Sequence, residues 1–234
     1  MPSQHSEHMS DHTSGHRERM KQKCDAKGMA SLTDQELFEI LLYPLLPRID
    51  TKPIVKDCFK NFSNFSAIIN APDAKLSEIK GVGKETIRHL SIIAELLDRI
   101  SYERVIHKNF LTNWTELQSF CLQKLSYRPI EALMAILLNN QNQVIAIKDL
   151  GSGTVNQMTV YPREILKVAL LDEAVGMILV HNHPSGDERA SKQDIDLTKS
   201  RQKTLKSANI TLYDHLIVAG GKCISMRNKG LFDF

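Results

Sequence analysis

At 234 residues the chain has room for one large or two small domains with a true hydrophobic core. An apolar content of 42% and a charged content of 24% exclude a collagen-like, disulfide-dense or wholly disordered chain. The net charge of +3 and pI near 8.6 permit a nucleic-acid partner without demanding one. Cys24, Cys58, Cys121 and Cys223 lie far apart with no C-x-x-C spacing, so they read as reduced thiols. With no signal-peptide pattern and no apolar run long enough for a bilayer, the expectation is a cytoplasmic protein with no membrane partner.

Residues 1–30 are polar and rich in His, Ser, Met, Lys and Arg. His5, His8, His12 and His16 invite a metal-binding reading, but no apolar periodicity fixes a fold there, and a disordered basic, His-rich tail is expected. Order begins at Thr33-Asp34-Gln35-Glu36, a capping box whose helix carries Leu37, Ile40 and Leu41 inward and stops at Pro44 and Pro47. A second helix is expected across Lys52–Phe62. Next come a short helix around Leu76, the turn Lys80-Gly81-Val82-Gly83-Lys84, and a long helix with Ile87, Leu90, Ala94 and Leu97 on one face. This pattern resembles a helix-hairpin-helix, in which Gly81, Gly83 and Lys84 would bring backbone N–H groups and a cation to a DNA phosphate. It equally suits a tight αα turn that needs glycine and binds nothing. The equivalent turn near Tyr43–Asp50 has no glycine, so only half of a DNA-gripping pair is present.

The pattern changes around Ser101–Asn109, which places a domain boundary there: 31–106 helical, 107–234 mixed α/β. Leu117, Phe120, Cys121 and Leu125 form one more helical stripe. Strands are then expected at Leu133–Leu138, Val144–Lys148 and Val155–Val160, followed by a helix led by Pro162. The apolar run Ala174–Val180 reads as a strand buried on both faces. A helix from Ser191 to about Ser207 and a hairpin of Ile210–Val218 with Lys222–Met226, closed by Gly220-Gly221, complete the chain.

The chemistry concentrates directly after that buried strand, in His181-Asn182-His183-Pro184-Ser185-Gly186-Asp187 and Ser191-Lys192-Gln193-Asp194. Side chains alternate along a strand, so His181 and His183 share a face, roughly 6.5 Å apart. Pro184-Ser185-Gly186 turns the chain. Ser191 suits a helix N-cap, and the first helical turn can return the Asp194 carboxylate to the same point. Two imidazoles and a carboxylate leave a fourth position for water, as in a catalytic zinc site. Amide hydrolysis there also needs a carboxylate beside the metal that is not a ligand. The pattern leaves Glu131, Glu164 and Glu173 open, with Glu131 at the start of the apolar strand Ala132–Leu138.

His-x-His-Pro followed by Ser-x-x-Asp resembles the JAMM (MPN+) metalloprotease motif, and His181-Asn182-His183-Pro184-Ser185-Gly186 is similar to the form seen in the bacterial RadC family. Gly153-Thr154-Val155-Asn156, Val160-Tyr161-Pro162-Arg163-Glu164-Ile165 and Asp214-His215-Leu216-Ile217 resemble further stretches of that family, so the likeness spans roughly residues 31–234. It implies an α/β fold with a mixed-sheet JAMM/MPN-like, cytidine-deaminase-like domain after a small all-α helix-hairpin-helix domain. It further implies Zn2+ held by His181, His183 and Asp194, Glu131 as the catalytic carboxylate opening the first strand, and Ser191 as an oxyanion-stabilising hydroxyl. A protein or peptide substrate follows, with DNA as a further partner, and the family name associates it with DNA repair. Tyr161 stands where the family commonly has His, and Ala190 where it has Pro. His215 is a spare imidazole that can serve as a competing ligand or a structural strand residue. Two other classes fit parts of the pattern: a DNA-binding module with a vestigial metalloprotease domain, and a non-haem iron(II) enzyme with a two-histidine, one-carboxylate triad.

Overall fold

The computed structural model describes residues 7–153 and 161–232, with side chains from residue 15. The expected strand Val155–Val160 and the stretch Thr154-Val155-Asn156 lie outside the described residues. The chain divides into two compact units, Met1–Leu96 and Leu97–Phe234.

The first unit is helical: α1 (Glu7–Lys27), α2 (Asp34–Leu42), α3 (Thr51–Asn61), α4 (Phe65–Ile69), α5 (Asp73–Ser77) and the start of α6 (Lys84–Val105). The Thr33 capping box forms, with its hydroxyl accepting from Glu36 N and Glu36 accepting from Thr33 N. Phe38, Leu42, Ile54, Val55, Ile68, Leu76 and Leu90 make the core, and the rings of Phe38, Phe59 and Phe65 meet edge to face at 5.5–6.1 Å.

Part of the tail expected to be disordered is instead the helix α1. It has almost no apolar stripe, and polar contacts hold it. Pro44 and Pro47 break the chain after α2, leaving carbonyls with no helical partner. The Arg17 guanidinium donates to three of them, on Leu46, Pro47 and Ile49, and lies 4.8 Å from the Tyr43 ring centroid. His16 bonds Glu39 at 2.9 Å, Lys23 pairs with Glu36 at 2.7 Å, and Met20 is buried. These contacts depend on tertiary partners, which is why periodicity within the segment missed them.

The second unit starts within α6 rather than after residue 106, because Val105 already packs with Phe110, Leu117 and Phe120. After α7 (Trp114–Leu125) come β1 (Glu131–Leu138), β2 (Val144–Gly153), α8 (Pro162–Leu171), β3 (Gly176–Asn182), α9 (Lys192–Ser207), β4 (Thr211–Ala219) and β5 (Lys222–Ser225). They form one mixed sheet in the order β2-β1-β3-β4-β5, with β3 and β4 parallel and the other neighbours antiparallel. Alternation divides the apolar residues cleanly. Ala132, Met134, Ile136, Leu138, Ile178 and Val180 face the α7 side. Leu133, Ala135, Leu137, Met177 and Leu179 face the opposite side, with Ile165 of α8 and Leu205 of α9. Every residue of β3 is buried, so the strand is fixed from both faces and both edges. Among the described residues, no helix is long and apolar enough to cross a membrane.

Arg17→Ala should detach α1 from its seat by removing charge-assisted bonds worth about 1.5–3 kcal/mol. Hydrogen exchange is expected to rise across residues 15–27 while the sheet amides stay protected.

Candidate metal centre

His181 and His183 continue the register of Met177 and Leu179, which puts both imidazoles on the α9 side of the sheet. His181 is only 3% exposed. His183 remains tied to the sheet, its N–H donating to Val218 O at 2.9 Å. The chain then turns: Gly186 N donates to His183 O at 3.0 Å with Gly186 at φ 79°. The turn brings Asp187 O to within 2.7 Å of His183 Nδ1. Ser191 caps α9 in a box with Asp194: Asp194 N donates to Ser191 Oγ (3.1 Å), while Ser191 N and Oγ both donate to Asp194 Oδ2 (2.7 Å each). The cap thereby fixes the carboxylate, with Oδ1 3.4 Å from His181 Nε2 and Oδ2 3.4 Å from His183 Nε2.

A chain of hydrogen bonds suits the tautomers that metal ligation needs. The Thr198 hydroxyl donates its one proton to Asp194 O at 2.6 Å, one helical turn back. With its proton so placed, it accepts from His215 Nδ1, also 2.6 Å away. Burial, with the fields of His181 and Arg201, holds His215 well below its ordinary pKa and therefore neutral, so its Nε2 is a bare acceptor. His181 Nδ1 donates to that Nε2 at 2.9 Å. Burial likewise lowers His181 to about 4, against the opposing pull of Asp194, so its Nε2 also carries a lone pair. On His183, Nδ1 donates to Asp187 O, leaving Nε2 inward. The two Nε2 atoms stand 2.9 Å apart. His181, His183 and Asp194 thus offer donor atoms all within 4.8 Å of one another. Two nitrogens and one oxygen at this spacing suit a tetrahedral divalent cation with an open position.

The Asp194 hydrogen bond, opposed by burial, raises His183 above its usual value. Burial pushes the Asp194 carboxyl up, but the His183 bond, the His181 field and the Ser191 bonds outweigh it and hold the group ionised far into acid.

Glu131, at the start of β1, lines the same cleft without joining the three ligand atoms. Burial raises its carboxyl, the field of His183 lowers it, and that of Asp194 raises it further. Of the other two candidate carboxylates, Glu164 pairs with Arg163 on α8 and Glu173 follows α8 at φ 54°, and neither is among the described residues that line the cleft. Ser191 is a cap whose hydroxyl points at Asp194. His215 supports His181 from behind and is not among the three ligand atoms. Tyr161 is exposed with the Arg163 guanidinium 4.8 Å from its ring centroid, and Ala190 packs against the core. In the first unit Gly81 and Gly83 occupy the turn between α5 and α6, and Lys84 is the first residue of α6. Sequence reading missed Thr198 and Arg201. Both lie on the Asp194 face of α9, four and seven residues on, which is a helical spacing open to detection.

Thr198→Val keeps the shape but removes the acceptor that orients His215, and should weaken metal binding by about 10–100-fold. His183→Ala should abolish stoichiometric binding. Because metal must displace the proton favoured on His183, affinity is lost as pH falls through its raised pKa, by about tenfold per unit below that point. Competition titration with a chromogenic chelator between pH 5 and 8 checks both.

The RadC-like JAB domain model matches residues 111–231. A UPF0758 protein of Ruegeria pomeroyi is 36% identical over 215 residues, which is 92% of this chain and 96% of the relative. A UPF0758 protein of Rhodobacter capsulatus is 36% identical over 204 residues, covering 87% of this chain and 95% of the relative. With the buried His-x-His strand, the capped Asp194 and this match over more than half its length, the chain belongs to the RadC-like JAB-domain family.

Proposed function

We propose that the protein is a zinc-dependent metallohydrolase of the JAMM type that cleaves a peptide or isopeptide bond. The observation that carries this reading is the placement of Glu131, a partly desolvated carboxylate in the cleft of the His181-His183-Asp194 group that is not itself part of that group. Zinc held by those three residues would polarise the scissile carbonyl and lower the pKa of water to about 7. Glu131 accepts the proton of the attacking water at a carboxylate oxygen and delivers it to the departing amine nitrogen. Its raised pKa suits both halves of that task. Asp194 keeps its charge throughout because Ser191 and the histidines stabilise the anion. The Ser191 hydroxyl can serve the developing oxyanion only by turning away from Asp194 Oδ2, while its backbone N–H keeps the carboxylate in place. A two-histidine, one-carboxylate set also suits iron(II), but the cleft-lining Glu131 supports hydrolysis.

A second reading concerns the first unit: the α5–α6 turn contacts DNA phosphates without sequence preference. The two glycines differ in a way that supports it. Gly81 is needed by the fold, at φ 95° and with a Cβ position only 2.7 Å from Ile54 Cδ1. Gly83 precedes α6 outside the left-handed region, and nothing lies within 4 Å of where its Cβ would be. Its bareness serves no internal packing and leaves the helix N-terminus open to an anion.

Glu131→Gln should leave zinc content and folding intact while slowing hydrolysis by about 10²–10⁴-fold, whereas Asp194→Asn should lose zinc. Proteins that accumulate uncut in cells carrying Glu131→Gln, compared with wild type, supply the substrate for the in vitro assay. Cleavage by the variant at the wild-type rate would overturn the mechanism. For the hairpin, Gly83→Ala should weaken low-salt DNA binding with unchanged stability, while Gly81→Ala should cost about 1–3 kcal/mol in denaturant unfolding. Equal DNA binding by wild type and Gly83→Ala would leave the turn with a structural role only.

A further inference from the structure

Asn182 sits between the two histidines, so alternation sends its side chain to the opposite face of the sheet. It is 1% exposed. Its amide makes three hydrogen bonds, all to backbone at the approach to β1. Ala132 N donates to Asn182 Oδ1 at 2.8 Å, and Asn182 Nδ2 donates to Arg128 O and Ile130 O, both at 3.2 Å. The arrangement fixes the amide orientation, since a flip would set an N–H against an N–H and an oxygen against two carbonyls. Glu131 lies in the middle of the clamped segment.

The β1–β3 ladder runs from Leu138 opposite Gly176 to Leu133 opposite His181. At the next step, the Asn182 side chain takes the Ala132 N–H. Glu131 therefore gets its position relative to β3 from this side chain, while its other edge is paired with Gly153 of β2. Leu133 and Glu131 face the cleft at this end of the ladder, beside His181 and His183. A serine would be too short to reach three backbone groups, and an aspartate would set an oxygen against the carbonyls of Arg128 and Ile130.

We propose that Asn182 is a positioning residue for Glu131: one His-Asn-His tripeptide supplies two metal ligands on one face of β3 and, on the other, the clamp that registers the proton-shuttling carboxylate to them. The proposal rests on the reading of Glu131 as the shuttle. A ligand and its partner base placed by the same three residues keep their mutual distance when the sheet flexes, and sub-ångström placement is what proton transfer needs.

The test uses full-length protein labelled with 13C-glutamate and titrated with Zn2+ alone. The Glu131 carboxyl resonance is identified by its loss in Glu131→Gln. In wild type it should shift on zinc saturation. In Asn182→Ala the one-to-one zinc stoichiometry should persist while the Glu131 shift is lost and the Ala132 amide loses its exchange protection. Asn182→Ser, which stays polar but is too short to reach all three backbone groups, serves if the alanine variant does not fold, and should lose the same shift. A wild-type Glu131 signal indifferent to zinc would sink the shuttle reading itself. A signal that responds equally in wild type and variants would overturn the clamp alone. Loss of fold or of zinc in both variants would make Asn182 a general sheet-holding residue and would likewise overturn it.

Discussion

Two imidazole Nε2 atoms 2.9 Å apart, each ring held from behind by a hydrogen bond at Nδ1, are turned onto one point and need a shared hydrogen or a cation between them. Around that constraint the second unit is built. A divalent cation fits that point because Asp194 is held ionised and aimed at it. The Thr198–His215–His181 chain of hydrogen bonds holds the His181 ring and, with Nδ1 as its donor, leaves Nε2 free for a metal. Removing a link leaves a buried imidazole free to present the wrong nitrogen.

The fold serves this by placing the ligand strand where it has least freedom. β3 lies at the centre of the sheet, between β1 and β4, with α7 packed under one face and α8 and α9 over the other. Asp194 comes from the first turn of α9, where the capping box that starts the helix also fixes the carboxylate. Lys222, the first residue of β5, pairs with Glu188 of the intervening loop at 2.7 Å. Buried strand and capped helix together give a preorganised donor set, which lowers the cost of ordering on metal binding.

Much of this was legible in the residues because it rests on local rules. The two-residue period put His181 and His183 on one face, the Ser-x-x-Asp cap located the start of α9, and Pro162 marked the start of α8. What depended on register between distant strands was not legible. Nothing near His215 says that it will sit behind His181 instead of competing as a ligand, because the β3–β4 pairing decides it. Asn182 stands between two histidines in the sequence, and only the run-out of the β1–β3 ladder gives its amide a task. The same holds for α1, whose polar residues show no stripe and find their partners across α2 and the broken turn after it. In the hairpin, the glycine spacing suggested one purpose for Gly81 and Gly83, whereas the packing gives them two different surroundings.

The most direct measurement is zinc K-edge X-ray absorption of protein loaded with one equivalent of zinc, on wild type and His183→Ala side by side. The account predicts a four-coordinate first shell of nitrogen and oxygen scatterers at about 2.0–2.2 Å with two imidazoles in wild type, and one imidazole or no bound zinc in the variant. A sulfur scatterer at about 2.3 Å, or a wild-type spectrum unchanged by His183→Ala, would contradict it and place the metal elsewhere in the chain.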